Sequence, residues 1–171
     1  MDSMNQSKMT VHLIATISQQ GVIKSTGSQT WQYKCRWFQM QTERGVLIMG
    51  RKTWESFPPL DAHRHCFVIV VSQSRHVCTE NDGVVWCSSL QEAVKVANPL
   101  HTYIIGGTKL FKQALILKVV EVYLVTQIYV EHVQKISSQL TLPYDRQVFW
   151  KSQTLHSNQG DYCYEMSLVR R

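Results

Sequence analysis

Short apolar, β-branched runs alternate with amphipathic stretches along most of this chain. Thr10 to Ile17, Val46 to Met49, Cys66 to Val71, Val84 to Cys87 and His101 to Ile105 read as buried strands, and Val119 to Val130 as a longer one. Between them, Trp31 to Arg44 reads as a helix, with Tyr33, Trp37 and Met40 at three- and four-residue spacing, Phe38 widening the apolar face, and Gly45 as its C′ residue. Leu90, Ala93, Val94 and Ala97 mark a second helix, capped by Ser88 or Ser89 and stopped before Pro99. Thr108 to Leu115 forms another. Strand and helix alternate to about residue 126; Val148 to Leu155 and Tyr162 to Val169 then read as two strands joined by Ser157-Asn-Gln-Gly160, a hairpin signal. No repeat, linker or boundary interrupts the pattern, so residues 1–171 are expected to form one α/β domain, with 1–10 flexible.

Two strand ends carry candidate chemistry. In Gly45-Val-Leu-Ile-Met-Gly-Arg-Lys-Thr-Trp-Glu-Ser-Phe57, a strand runs through Gly50 into Arg51, Lys52 and Thr53, and Trp54 onward reads as the first turns of a helix. Free N–H groups at a helix start attract anions, and two cations and a hydroxyl add to that pull. Two solvated cations after a buried strand explain this stretch alone equally well. Tyr103-Ile-Ile-Gly-Gly-Thr-Lys-Leu-Phe111 has the same grammar, and paired glycines let a ligand lie on bare backbone. Two such ends in one parallel sheet form the crevice in which open α/β sheets bind dinucleotides. Ser72-Gln-Ser-Arg75, at a third strand end, is a further candidate for phosphate. Lys24 to Thr30 has little to bury and reads as a loop of the lid type.

Composition narrows the partners. The formal charge of +6, from 18 Lys+Arg against 12 Asp+Glu, favours anions. The cations are dispersed rather than gathered in a stripe with aromatics, which suits a small phosphorylated cofactor and argues against nucleic acid. The five cysteines have no Cys-x-x-Cys spacing and the seven histidines no metal spacing, so reduced thiols, a cytoplasmic setting and no metal are expected. Met1 to Thr10 is polar without the apolar core of a signal peptide, and no run approaches membrane-spanning length.

From about Val11 to Arg171 the chain resembles dihydrofolate reductase. The pieces come in that family's order: the first strand with Gly21-Val-Ile23, the loop closing on Trp31, Phe38 with Thr42, Met49-Gly-Arg-Lys-Thr-Trp-Glu-Ser56, Pro59-Leu60, the strand ending at Ser72, Ile105-Gly-Gly107, Tyr123 to Ile128 with Thr126, and Tyr162-Cys-Tyr-Glu-Met166. The resemblance implies an eight-stranded, mostly parallel sheet with a C-terminal antiparallel hairpin and helices on both faces. It also implies an NADPH-dependent oxidoreductase acting on dihydrofolate or a related pterin, as a monomer or small oligomer. By position, Arg51, Lys52 and Thr53 would hold cofactor phosphates, and Ser72, Ser74 and Arg75 would lie near the adenosine 2′-phosphate. Gly106, Gly107 and Thr108 would receive the pyrophosphate, with Ala15 and Thr16 beside the nicotinamide, Phe111 near it, and Ile105, Lys109 and Leu110 completing the cofactor side. Phe38, Phe57, Leu60 and Ile105 would wall the pterin and benzoyl pocket, and Arg64 would grip the folate carboxylate. Plain core packing is the competing reading for these wall residues.

The chain departs from the family on the substrate side. The reaction delivers a hydride to pterin C6 and a proton to N5, and the family places an Asp or Glu on the helix after the lid to promote that protonation. Four positions before Phe38 stands Lys34, and none of Gln32, Tyr33, Lys34, Cys35, Arg36 or Trp37 is acidic. Trp31, Lys34 and Thr126, the carboxylate's usual partner, are therefore the candidate catalytic positions. From Trp31 to Phe38 the chain is about two residues shorter than the family pattern, whereas from Leu60 to Ser72 it is about three longer. Either Arg64 or, if that insertion shifts the register, Cys66 takes the carboxylate-gripping place. Lys24 and Thr30 replace a lid glycine and proline, and Phe111 stands where the family often has tyrosine. The reading is a divergent, slow, antifolate-insensitive dihydrofolate reductase. The alternatives are a reductase of the same fold for another heterocycle, or a non-catalytic structural or binding component.

Overall fold

The computed structural model describes residues 10–18, 36–57, 66–74, 79–81, 83–129, 148–151, 155–156 and 163–170. Its strands are β1 (Val11–Ser18), β2 (Val46–Gly50), β3 (Phe67–Val71), β4 (Thr79–Asn81), β5 (Val84–Cys87), β6 (Thr102–Gly106), β7 (Val122–Tyr129), β8 (Val148–Lys151), β9 (Leu155–His156) and β10 (Cys163–Arg170). Its helices are α1 (Arg36–Thr42), α2 (Arg51–Glu55), α3 (Leu90–Ala97) and α4 (Thr108–Ile116). The sheet runs β4-β5-β3-β2-β6-β1-β7-β10-β8, with β9 also paired to β10. From β5 across to β7 every pairing is parallel, as expected of strands joined by helices, although among the described residues no helix separates β3 from β5. The C-terminal β10 is antiparallel to β7, β8 and β9, and the short β4 is antiparallel to β5. The expected eight strands correspond to those of four or more residues; β4 and β9, with three and two residues, are additions.

Strand alternation sorts the core into two layers. Leu13, Ile48, Ile69, Ile104 and Val125 point to one face, where α3 packs through Leu90, Ala93 and Ala97 and α4 through Leu110, Phe111 and Ala114. Ile14, Leu47, Met49, Val70, Ile105 and Leu124 point to the other, against Phe38 of α1, with Trp54 and Phe57 partly buried there. The helices thus cover both faces. At the start of α3, the Ser89 hydroxyl accepts the Glu92 N–H at 3.2 Å, and the Glu92 carboxylate accepts the Ser88 N–H and Oγ–H, both at 2.9 Å. These bonds from Ser88 hold the Glu92 carboxyl below the usual carboxylate range.

Three local readings are corrected. Among the described side chains of α1 the buried ones are Phe38 and Thr42, one turn apart, while Met40 is 64% exposed. Its position, two residues after Phe38, lies on the opposite side of the helix. Gly45 is not the left-handed terminator of α1, because Arg44, with φ of 60°, takes that conformation. Gly45 is required for packing: a β-carbon there would stand 2.4 Å from Tyr103 Cε2. The third correction is to a helix start, since α2 begins at Arg51 rather than at Trp54. The whole Arg-Lys-Thr run therefore lies in its first turn.

Opposite the strand ends that carry the candidate chemistry, His12 stacks on Tyr103 with ring centroids 4.6 Å apart, and its Nδ1 lies 3.3 Å from the Thr102 carbonyl oxygen. His101 just before β6 and Glu121 just before β7 are the other titratable groups acting on it. Burial lowers the His12 pKa, so protonation is easier in the unfolded chain. The native state is therefore undiminished above the unfolded histidine value of about 6.5 and loses stability as pH falls from there through the lower folded value. Thermal melts from pH 8 to pH 5 should show a smaller drop in Tm for His12→Gln than for the parent chain. Equal drops would mean that this ring plays no part in acid sensitivity.

Candidate functional site

The carboxyl ends of β5, β3, β2 and β6, neighbours in that order, open onto one cleft of about 560 Å³. Gly50 and Gly107 stand face to face at its base. A β-carbon on Gly50 would lie 3.7 Å from the Gly107 amide nitrogen and 3.8 Å from the Gly106 carbonyl oxygen, and one on Gly107 would lie 3.4 Å from Thr53 Oγ1. The two glycine-bearing turns read from the sequence are thus adjacent, and side chains at these positions would fill the space between them. Gly50 has an ordinary φ of −77°, so close approach rather than a special turn accounts for it. Gly106, with φ of +132°, needs glycine for its conformation, and the Phe111 ring packs beneath it, 3.7 Å from where its β-carbon would be. The β2–β6 register shifts between Ile48 and Met49, so that Met49 pairs with Gly106. This brings Gly106 level with the end of β2.

Charge in the cleft has one sign. Arg51, Lys52 and Lys109 are its charged lining residues among those described; the other polar ones carry hydroxyls or amides. Arg51 Nε also lies 3.5 Å from Glu55 Oε1, but this pair is more than half exposed on both sides and well screened. Ser72 is buried, shares a 2.8 Å hydroxyl–hydroxyl bond with Ser74, and donates its N–H to the Cys87 carbonyl at 2.9 Å. Thr108 Oγ1 is buried and has no hydrogen-bond partner. A buried hydroxyl left unsatisfied is costly, and this one sits between the cleft-lining Gly107 and Lys109.

Of the sequence-based candidates, Arg51, Lys52, Thr53, Ser72, Ser74, Gly107, Lys109 and Leu110 line this one cleft. Ile105, Gly106, Thr108 and Phe111 support its base or the start of α4 without lining it. Phe38, Phe57 and Ile105 belong together in the apolar cluster on the α1 face; Phe38 and Ile105 are buried and Phe57 is half-buried. Thr16 and Thr126 are register partners on β1 and β7, both buried, and alternation with Ile14 and Leu124 puts them on that same face. Ala15 points to the opposite layer. Trp31, Lys34, Leu60, Arg64 and Arg75 lie outside the described residues.

The structure adds cleft residues that pattern reading missed, among them Gln73, Ser88, Ser89, Gln91 and Gln113. The two serines were legible as helix caps only. Their place at the cleft follows from β5 lying parallel beside β3, a pairing that no local signal announces. Cys66 immediately precedes β3, and its thiol donates to the Thr42 carbonyl at 3.0 Å. Burial pushes that thiol's pKa up, so the group is neutral and engaged with the protein.

Among the described residues no group of three His, Cys, Asp or Glu is placed to hold a metal ion, and no helix is long and apolar enough to cross a membrane. The family model for dihydrofolate reductase matches residues 10–170. The dihydrofolate reductase of Buchnera aphidicola subsp. Acyrthosiphon pisum is 28% identical over 175 residues, covering 95% of this chain and 100% of its own. That of Haemophilus influenzae is 35% identical over 111 residues, covering 63% and 66%. The structure of Schistosoma mansoni dihydrofolate reductase superposes with a TM-score of 0.76 at 21% identity, over 96% of this chain and 99% of that one, which establishes the shared fold.

Proposed function

This chain belongs to the dihydrofolate reductase family, and from that premise we propose that it reduces 7,8-dihydrofolate to tetrahydrofolate with NADPH. The observation that carries the reading is the meeting of the Gly50 and Gly106-Gly107 strand ends in one cationic cleft. The residues present fit a phosphorylated dinucleotide. Thr108 Oγ1 is an orphaned buried hydroxyl, the facing glycines leave a cradle that a β-carbon would fill, and the charged lining is wholly cationic. No acidic side chain among the described lining residues stands ready for a free ribose 2′-hydroxyl, which favours the 2′-phosphorylated cofactor.

In this reading Arg51, Lys52 and Thr53 hold phosphate at the start of α2, and the Gly107 and Thr108 end of β6 receives the pyrophosphate. Ser72 and Ser74 serve the adenosine end, with Arg75 assigned there from sequence position. Bound in the cleft, NADPH supplies the hydride. Ile105 continues from the cofactor cleft into the apolar layer with Phe38 and Phe57, which form the pterin wall; Leu60, and Arg64 for the folate carboxylate, join them by sequence position. Thr126 and Thr16 offer the polar groups on that face. With Lys34 at the sequence position where a carboxylate is expected, the charged acceptor for the protonated pterin is lost, so N5 takes its proton from water and turnover is slow.

Two results test this. NADPH oxidation driven by dihydrofolate should be measurable and should accelerate as pH falls from 8 to 5, because N5 arrives already protonated. Absence of turnover at every pH, alongside normal NADPH binding, would overturn the substrate assignment. Diaminopyrimidine antifolates, whose protonated ring needs an anionic partner, should bind weakly. Loss of one charge-assisted bond of about 1.5–3 kcal/mol weakens them by roughly 10- to 150-fold relative to a carboxylate-bearing relative. A nanomolar dissociation constant would contradict the placement of Lys34.

A further inference from the structure

Lys109, in the first turn of α4, donates from Nζ to Gln73 Oε1 at 3.3 Å. Gln73 lies just past β3, and α4 follows β6; in the sheet β2 lies between those two strands. The bond therefore spans the end of β2, where Gly50 leads into α2, and both of its residues line the cleft. The turn carrying Gln73 is pinned on either side. Ser72 N–H donates to the Cys87 carbonyl at 2.9 Å, and the Ser72 and Ser74 hydroxyls bond to each other at 2.8 Å.

Resting on the cofactor reading above, we propose that Gln73 is a positioning residue that holds the Lys109 ammonium over the end of β2, facing a phosphate of the bound dinucleotide. The chemistry of the amide is what suits it to the task. A lysine on its own is a mobile point charge that samples many rotamers. A carboxylate partner would order it but cancel its charge toward an anion. The neutral Gln73 carbonyl orders the ammonium and leaves the charge undiminished. Arg51 and Lys52 supply charge from the α2 side of the same cleft; the side chains contributed by β5 and α3, Ser88, Ser89 and Gln91, are uncharged. Lys109 is thus the only cation among the described lining residues to reach the cleft from the β6 side. The bond uses one of the ammonium's three N–H donors, so an entering phosphate can accept from the others while Gln73 keeps its hold.

The test is equilibrium titration with NADPH of the parent chain, Gln73→Ala, Lys109→Ala, the double variant and Gln73→Glu, each checked by its apo Tm. Gln73→Ala should weaken binding by about 3- to 5-fold and Lys109→Ala by about 10-fold. The double variant should be no weaker than Lys109→Ala, the non-additivity expected of residues acting through one contact. Gln73→Glu should bind NADPH less well than Gln73→Ala, although it gives Lys109 a stronger partner; a purely structural role would instead be rescued by it. The proposal is overturned if Gln73→Ala matches the parent, if its effect persists in the Lys109→Ala background, or if Gln73→Glu restores parent affinity. Should the parent chain bind no NADPH, the cofactor reading falls and this inference with it, whereas normal parent binding with an unaffected Gln73→Ala sinks only the positioning role.

Discussion

Lys34→Asp is expected to raise dihydrofolate-dependent NADPH oxidation at pH 7 by about 10²-fold, the lower end of what a positioned general acid–base group contributes. The residue stands four positions before Phe38, which α1 holds buried against the layer containing Ile105. A carboxylate introduced at the assigned place accepts charge-assisted hydrogen bonds from a protonated pterin. Lysine offers no acceptor and repels the cation. Because the benefit arises as N5 gains its proton, it should appear mainly in kcat, and the variant's rate should depend less steeply on pH than the parent's. The same exchange should tighten diaminopyrimidine binding, since that ligand also presents a protonated ring. Steady-state kinetics from pH 5 to pH 8 decide the matter. An unchanged kcat with unchanged antifolate affinity would show that Lys34 does not occupy the carboxylate's place.

The second large effect is expected at the cofactor cradle. Gly107→Val should weaken NADPH by at least about 10²-fold, because a branched side chain enters the gap between the two strand ends and covers the backbone that a phosphate would approach. Gly107 has an ordinary φ of −87°, and its β-carbon position lies 3.4 Å from Thr53 Oγ1, a contact the fold tolerates. The apo Tm should therefore move by only a few degrees. Gly106→Ala provides the contrast, since φ of +132° strains any L side chain and the β-carbon would meet the Phe111 ring at 3.7 Å. Its loss should appear first in Tm. Calorimetric titration and thermal melts of the two variants separate the effects, and a Gly107→Val dissociation constant within threefold of the parent's would place the phosphates elsewhere.

Local grammar accounts for much of what was legible. Apolar runs bounded by glycine or polar residues marked β1, β2, β3, β5, β6 and β7, and strand–helix alternation accounts for their parallel pairing except that of β3 with β5. The phosphate-type residues were readable because glycine, hydroxyl and cation follow a strand directly in each case. What eluded pattern reading depends on contacts between distant segments. Gly45 looked like a helix terminator, but Tyr103, brought beside it by the β2–β6 pairing, is what demands the missing side chain. Met40 fitted an apolar helical face yet is exposed, because among the described side chains of α1 it is Phe38 and Thr42 that turn inward. Gln73 carried no motif at all; its role emerges only once β2 is seen to lie between β3 and β6. Ser88 and Ser89 were seen as caps, and cleft lining is a second use of the same turn.

The central claim is that the Gly50 and Gly106-Gly107 ends hold one phosphorylated nicotinamide between them. Titrating NADPH into the parent chain while following tryptophan emission, with Tm recorded at each concentration, tests it most directly. The expected result is a saturable quench at one site per chain and a Tm that climbs with the logarithm of NADPH concentration, both shifted by Gly107→Val to concentrations at least about 10²-fold higher. Emission and Tm that stay flat up to millimolar NADPH would contradict it.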